Sequence, residues 1–169
     1  MKAFYLIGFR GAGKTTVGRA LAKELELDFL DLDEYWEKKS GTEIIEFVAA
    51  NGLDAFRREE EKLLREMETN DVPLVIATGG GVVDWPPSRA LLEASPRQKI
   101  YLEVPPEELW ARLENSPERK DIGDLHTFER FEALLEKRRV HYEKIATFRA
   151  ENRVITDTLA ILKELVKQP

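Results

Sequence analysis

Nine consecutive residues, Gly8-Phe9-Arg10-Gly11-Ala12-Gly13-Lys14-Thr15-Thr16, constrain this chain more than any other stretch. They fit G-x-x-x-x-G-K-[ST], the spacing of a phosphate-binding loop. Its glycines let the backbone curl until several N–H groups point inward at one phosphate chain. Gly11, Ala12, Gly13 and Thr16 would line that nest, Lys14 would reach the β- and γ-phosphates, and the Thr15 hydroxyl would face Mg²⁺. The same pattern also arises as a plain glycine-rich turn, so its flanks matter. Ala3-Phe4-Tyr5-Leu6-Ile7 before it reads as a buried strand. Val17, Ala20, Leu21 and Leu25 after it fall at helical spacing. Strand, loop and helix in that order predict a bound nucleoside triphosphate.

A chain of 169 residues with 43% hydrophobic content fits one domain, residues 1–169, with a continuous core. The net charge of −6 and pI near 5.2 leave no basic field for nucleic acid or an anionic membrane. A small anionic substrate stays open, because a local basic cluster can outweigh the overall sign. With no cysteine, disulfides and thiolate metal sites are excluded. The apolar run from Met1 to Ile7 is too short for a signal peptide, and no run approaches a membrane span. The expectation is a cytoplasmic enzyme, monomeric, with no nucleic-acid or membrane partner.

Apolar runs alternate with helical patterns along the chain. Strands are expected at Ala3–Ile7, Asp28–Leu30, Pro73–Ala77, Ile100–Leu102 and Val154–Ile155. Helices are expected at Lys14–Leu25, Glu34–Lys39, Glu43–Ala50, Leu53–Glu68, from Pro86, from Pro105 through Leu113, Phe128–Ala146 and Leu159–Val166. Residues 114–127 are polar, carry Pro117 and Gly123, lack periodicity and read as a lid. The alternation predicts parallel βαβ units in a three-layer α/β domain.

A phosphoryl-transfer enzyme with this loop usually takes a Mg²⁺ carboxylate from an apolar strand ending in Asp. Here that strand ends in Thr78-Gly79-Gly80-Gly81, so the acid must come from elsewhere. Asp31 closes another strand, and Asp33 lies two residues on. Both enter one site if the strand persists, whereas Asp33 is a plain N-cap if a helix starts at Glu34. The three glycines leave backbone N–H groups open to a close-lying substrate, or serve as a sharp strand exit. Arg57 and Glu60, three apart, can pair and hold a guanidinium for bidentate carboxylate binding, or form a solvated face. Lys137-Arg138-Arg139 and Arg119-Lys120 carry the same ambiguity. His126 and His141 lack metal-ligand spacing, and Trp36, Trp85 and Trp110 form no stacking pattern.

Together these positions resemble the shikimate kinase family over nearly the whole chain. The phosphate loop, Phe29-x-Asp31-x-Asp33, Lys39-Ser40-Gly41-Thr42, Phe56-Arg57 with Glu60-Glu61, and Ala77-Thr78-Gly79-Gly80-Gly81 follow the family's order. The resemblance implies a three-layer α/β/α P-loop NTPase fold of the nucleoside-monophosphate-kinase kind, with a parallel sheet. It implies transfer of the γ-phosphoryl of ATP to the 3-hydroxyl of shikimate, on the route to chorismate and aromatic amino acids.

By the same likeness Lys14 holds the phosphates, and Thr15 and Asp31 serve Mg²⁺. Asp33 orients or deprotonates the acceptor hydroxyl. Arg57 and Arg138 clamp the shikimate carboxylate, Glu60 braces Arg57, and Gly79, Gly80 and Gly81 line the pocket. Arg112 packs on adenine, and Arg119 reaches the transferring phosphate from the lid. Two departures stand out. The family's Arg-Pro-Leu-Leu is Arg119-Lys120-Asp121-Ile122 here, and its Arg-x-Pro-Leu-Tyr is Arg138-Arg139-Val140-His141-Tyr142. The alternatives are a gluconate kinase or other polyol-acid kinase, and a nucleotide-binding regulatory protein without kinase activity.

Overall fold

The computed structural model describes residues 3–69, 72–116 and 127–165. Strand β1 (Phe4–Ile7) is buried at all four positions. Period-two alternation sends Phe4 and Leu6 to one face and Tyr5 and Ile7 to the other, and each pair joins a separate apolar layer. A continuous hydrophobic run is what a strand covered on both faces requires.

The chain continues through α1 (Lys14–Leu25), β2 (Asp28–Asp31), α2 (Leu32–Ser40), α3 (Ile44–Asn51) and α4 (Leu53–Glu68). It then forms β3 (Leu74–Ala77), a 3-10 turn (Val82–Asp84), α5 (Pro86–Ala94), β4 (Gln98–Glu103), α6 (Pro106–Glu114), α7 (Phe128–Ile145), β5 (Phe148–Glu151) and α8 (Ile155–Leu165). Among the described residues the sheet has the order β2-β3-β1-β4-β5, and every pairing is parallel. One layer packs Val17, Leu21, Leu109, Phe131 and Leu162 on the sheet; the other packs Leu32, Trp36, Phe56, Leu64, Leu92 and Tyr142. Helices on both faces of a parallel sheet make the expected three layers. No helix among the described residues is long and apolar enough to cross a membrane.

Register decides where the site lies. Leu6 and Asp31 both pair with Ala77, so β1, β2 and β3 end level with one another. The Thr78 amide and hydroxyl both donate to the Leu6 carbonyl at 3.1 Å, which ties the glycine segment beside the phosphate loop. Carboxyl ends of such strands form the ligand crevice of open α/β sheets.

Three expectations need correction. The last strand is Phe148–Glu151, not Val154–Ile155, and α8 begins at Ile155 rather than Leu159. β5 is an edge strand with only Ala150 buried, so it lacks an apolar run, while Val154 and Ile155 stay exposed. Helix α2 starts at Leu32, two residues before Glu34, because the Asp31 side chain caps it. The lid expectation for residues 114–127 is only partly placed. Glu114 ends α6, Thr127 caps α7, and residues 117–126, including Arg119, lie outside the described residues.

Gly18 sets how closely α1 rides on the sheet. A Cβ there would sit 2.4 Å from Phe29 Cε2 and 2.8 Å from Leu6 Cδ1. Gly18→Val should therefore destabilise the fold by about 2 kcal/mol, read by urea unfolding, since overpacking forces the helix outward. Unchanged stability would mean that α1 can shift at no cost.

Candidate active site

The loop after β1 turns through Gly11 and Gly13, both at positive φ, and feeds directly into α1. Gly13 caps that helix without a side chain, so the first-turn N–H groups stay open toward an anion. Lys14 is buried and donates to the carbonyls of Gly8 and Phe9, each at 2.9 Å. Burial lowers its pKa to about 8, against the pull of Asp33 and Asp31, which raise it. The ammonium stays charged at neutral pH and has incentive to take an anionic partner.

Thr15 Oγ1 donates to Asp31 Oδ2 at 2.6 Å. The other Asp31 oxygen accepts the backbone amides of Asp33 and Glu34 at 3.0 and 3.4 Å. The N-cap is therefore Asp31, and Asp33 is released from that duty. The strand stops at Asp31, so the two acids do not share a strand face, yet the first turn of α2 still aims Asp33 inward. Its carboxylate lies 3.0 Å from where a Gly79 Cβ would stand. Burial first, and the Asp31 charge second, raise the Asp33 pKa to about 6.

Gly79 and Gly81 are small because charged groups press on them. A Cβ on Gly79 would meet Glu60 Oε1 at 2.3 Å, and one on Gly81 would meet Arg57 Nη2 at 1.8 Å. Arg57 Nη1 donates to Glu60 Oε2 at 2.8 Å, as the spacing of three anticipated, and both side chains are buried. Burial pushes the Glu60 pKa up to about 7 against the pull of Arg57. Arg138, from α7, faces the same segment and lies over the Phe9 ring, 4.9 Å from its centroid. Tyr142, one turn on, donates to the Gly80 carbonyl, so α7 is anchored on the glycines.

The structure thus brings together Lys14, Thr15, Asp31, Asp33, Arg57, Gly79, Gly80, Gly81 and Arg138. Arg112 instead braces the loop from outside. Its Nη2 donates to Glu108 and to the Asn152 carbonyl, each at 2.6 Å, and Nη1 reaches the Gly11 carbonyl at 3.5 Å.

Two participants were missed by the sequence reading. Asn152 donates to the Ala12 carbonyl at 2.7 Å across 140 residues. Asp84 receives both Nε and Nη2 of Arg138, the latter at 2.6 Å. Neither belongs to a short motif, so only the fold could have disclosed them. His141, set aside as structural, has Nε2 3.2 Å from Arg89 Nη1. No group of three His, Cys, Asp or Glu side chains suited to a metal occurs among the described residues.

The raised Asp33 pKa has a stability consequence. Unfolded, this acid ionises near 3.8; folded, near 6, so the folded chain holds more protons between those values. Stability contributed by the group falls as pH rises through that window and remains lower above it. Asp33→Asn should then stabilise the fold by about 1–2 kcal/mol at pH 8 and far less at pH 4. Urea denaturation at the two pH values checks this; equal effects at both would count against a strained carboxylate.

The comparisons agree with this geometry. The family profile described as "Shikimate kinase" matches residues 10–168. A shikimate kinase of Enterococcus faecalis is 38% identical, covering 97% of this chain and all of that protein. One of Aromatoleum aromaticum is 40% identical over 83% of this chain and 79% of its own. The structure of an Acinetobacter baumannii shikimate kinase in complex with shikimate superposes with a TM-score of 0.87 at 32% identity, covering 99% of this chain and 93% of that one. A gluconokinase from Sinorhizobium meliloti, covering 98% and 95%, reaches a TM-score of 0.54 at 17% identity, a likeness of fold alone.

Proposed function

The chain belongs to the shikimate kinase family, and from that premise we propose how its residues divide the work. It is a kinase that transfers the γ-phosphoryl group of ATP to the 3-hydroxyl of shikimate, within aromatic amino acid biosynthesis. One observation carries the assignment of roles. Two guanidinium groups, Arg57 and Arg138, flank the triple glycine on the same sheet edge as Lys14 and Asp33. Two guanidinium groups and a carboxylate gathered at the glycine segment suit an acceptor bearing both a carboxylate and hydroxyls.

In this reading Gly11, Ala12, Gly13 and Thr16 hold the phosphates by their amides, and Lys14 leaves the Gly8 and Phe9 carbonyls for phosphate oxygens. Arg112 supports the loop under the nucleotide and stacks on its base. The acceptor hydroxyl attacks the γ-phosphorus, a new O–P bond forms, and the bond to the bridging oxygen breaks, releasing ADP. Asp33 takes the hydroxyl proton, for which a pKa near 6 is suited at neutral pH. Arg57 and Arg138 hold the carboxylate so that the attack is in line.

The Thr15 hydroxyl and Asp31 carboxylate, 2.6 Å apart beside the loop, are hard oxygen donors that fit Mg²⁺. They are fewer than a closed protein cage needs, which suits an ion that keeps waters and phosphate oxygens as ligands. When bound, the ion would neutralise charge on the phosphates. Arg119, seven residues after Arg112, is assigned to the transferring phosphate by its resemblance to the family's lid arginine. We further read residues 1–169 as one catalytic domain, working as a cytoplasmic monomer without nucleic-acid or membrane partners.

ADP release from ATP should depend on shikimate and far exceed release with quinate or gluconate. No shikimate-dependent release would overturn the reading. Asp33→Asn should cut turnover at least about 10²-fold while nucleotide binding persists. Normal turnover in that variant would remove Asp33 from the proton transfer. Arg57→Ala should raise the half-saturating shikimate concentration about tenfold or more. An unchanged value counts against the clamp.

A further inference from the structure

The Arg57–Arg138 clamp already contains a carboxylate of the protein itself. Asp84 accepts Nε of Arg138 at 3.1 Å to each oxygen, and Nη2 at 2.6 Å to Oδ2. The same Oδ2 stands 3.9 Å from Arg57 Nη2. Asp84 therefore spans both guanidinium groups, which is the position a substrate carboxylate would take. Its backbone is pinned there. The Asp84 amide donates to the Gly81 carbonyl at 2.9 Å, Arg89 Nη1 donates to the Val83 carbonyl, and Trp85 Nε1 donates to Glu61.

Each arginine of the clamp already has an acid of the protein beside it. Arg57 is paired with Glu60, which is 2% exposed at the side chain, and Arg138 is paired with Asp84. A third carboxylate entering between them would meet two arginines and two acids. Glu60 is buried beneath Gly79 and cannot turn away without displacing the sheet edge. Asp84 can: its side chain is 25% exposed, and its hydrogen bonds among the described residues are those from Arg138. Rotation about its own side chain would carry the carboxylate to water and free the Nε/Nη2 edge of Arg138.

We propose that Asp84 is a specificity-determining residue, an internal carboxylate that occupies the clamp and must be displaced by the carboxylate of the acceptor. The inference rests on the shikimate kinase reading above. An acceptor with a well-placed carboxylate replaces what Asp84 supplied to both arginines. A neutral polyol leaves the clamp closed and gains nothing from it. Asp84 thus weakens the acceptors whose carboxylate must displace it and leaves a neutral acceptor, which does not compete with it, nearly unaffected.

The test uses the full-length enzyme and the Asp84→Asn and Asp84→Ala variants, with shikimate and its methyl ester as acceptors. Both variants should lower the half-saturating shikimate concentration about five-fold, the scale of one partly exposed ion pair, and leave that for the ester little changed. Calorimetric titration of shikimate into the ATP-free proteins should show the same gain in affinity. A raised value for shikimate in both variants would overturn the proposal, because Asp84 would then be a brace that positions Arg138. An equal gain for acid and ester would overturn it too, as mere loosening of the pocket. Should the parent enzyme show no shikimate-dependent turnover, the functional reading fails first and the inference falls with it. Parent turnover with no change in either variant removes Asp84 alone.

Discussion

The 2.6 Å hydrogen bond from Thr15 to Asp31 joins the two halves of the site. On one side is the first turn of α1, which presents the phosphate loop. On the other is the end of β2, where Asp31 also caps α2 and so decides which way Asp33 faces. A carboxylate that accepts a hydroxyl with one oxygen and two amides with the other has almost no freedom left. The phosphate loop and the start of α2, with Asp33 on it, are thereby held in one frame.

The rest of the site follows from the cost of gathering charge at one sheet edge. Lys14, Asp33 and Glu60 are all pushed toward their neutral forms by burial. Each has a neighbour of opposite sign, and Arg57 and Arg138 each have their own acid. Keeping the Asp33 carboxylate there costs stability at neutral pH, because burial disfavours its charged form. Glycine at 79 and 81 is the steric side of the same arrangement, since only a missing side chain admits Glu60 and Arg57 so close to the backbone.

Much of this was legible in the chain. The loop, Lys14 and Thr15 lie within one short motif, and α1 and α4 have the bounds that periodicity gives them. The Arg57–Glu60 pair needed only helical spacing. Asp33 was harder, because capping and a place in the site both suit an Asp at that point; the observed cap is Asp31, which leaves the Asp33 carboxylate beside Gly79. β5 was misplaced since an edge strand carries no apolar run, and Val154-Ile155 mimicked one. Asp84 and Asn152 left no local trace at all.

By itself the sequence determined what depends on neighbours along the chain: the phosphate nest, the alternation of strand and helix, the acids near β2 and the family likeness. Tertiary structure alone decided what depends on register and crossing. It set β1, β2 and β3 level at Ala77, brought Asn152 to Ala12, and placed Asp84 on Arg138, 54 residues away. The physical reason is range. Backbone geometry and side-chain spacing act over a few residues, whereas charges seek partners through space, and which partners meet is settled only when the sheet and its two helical layers close together.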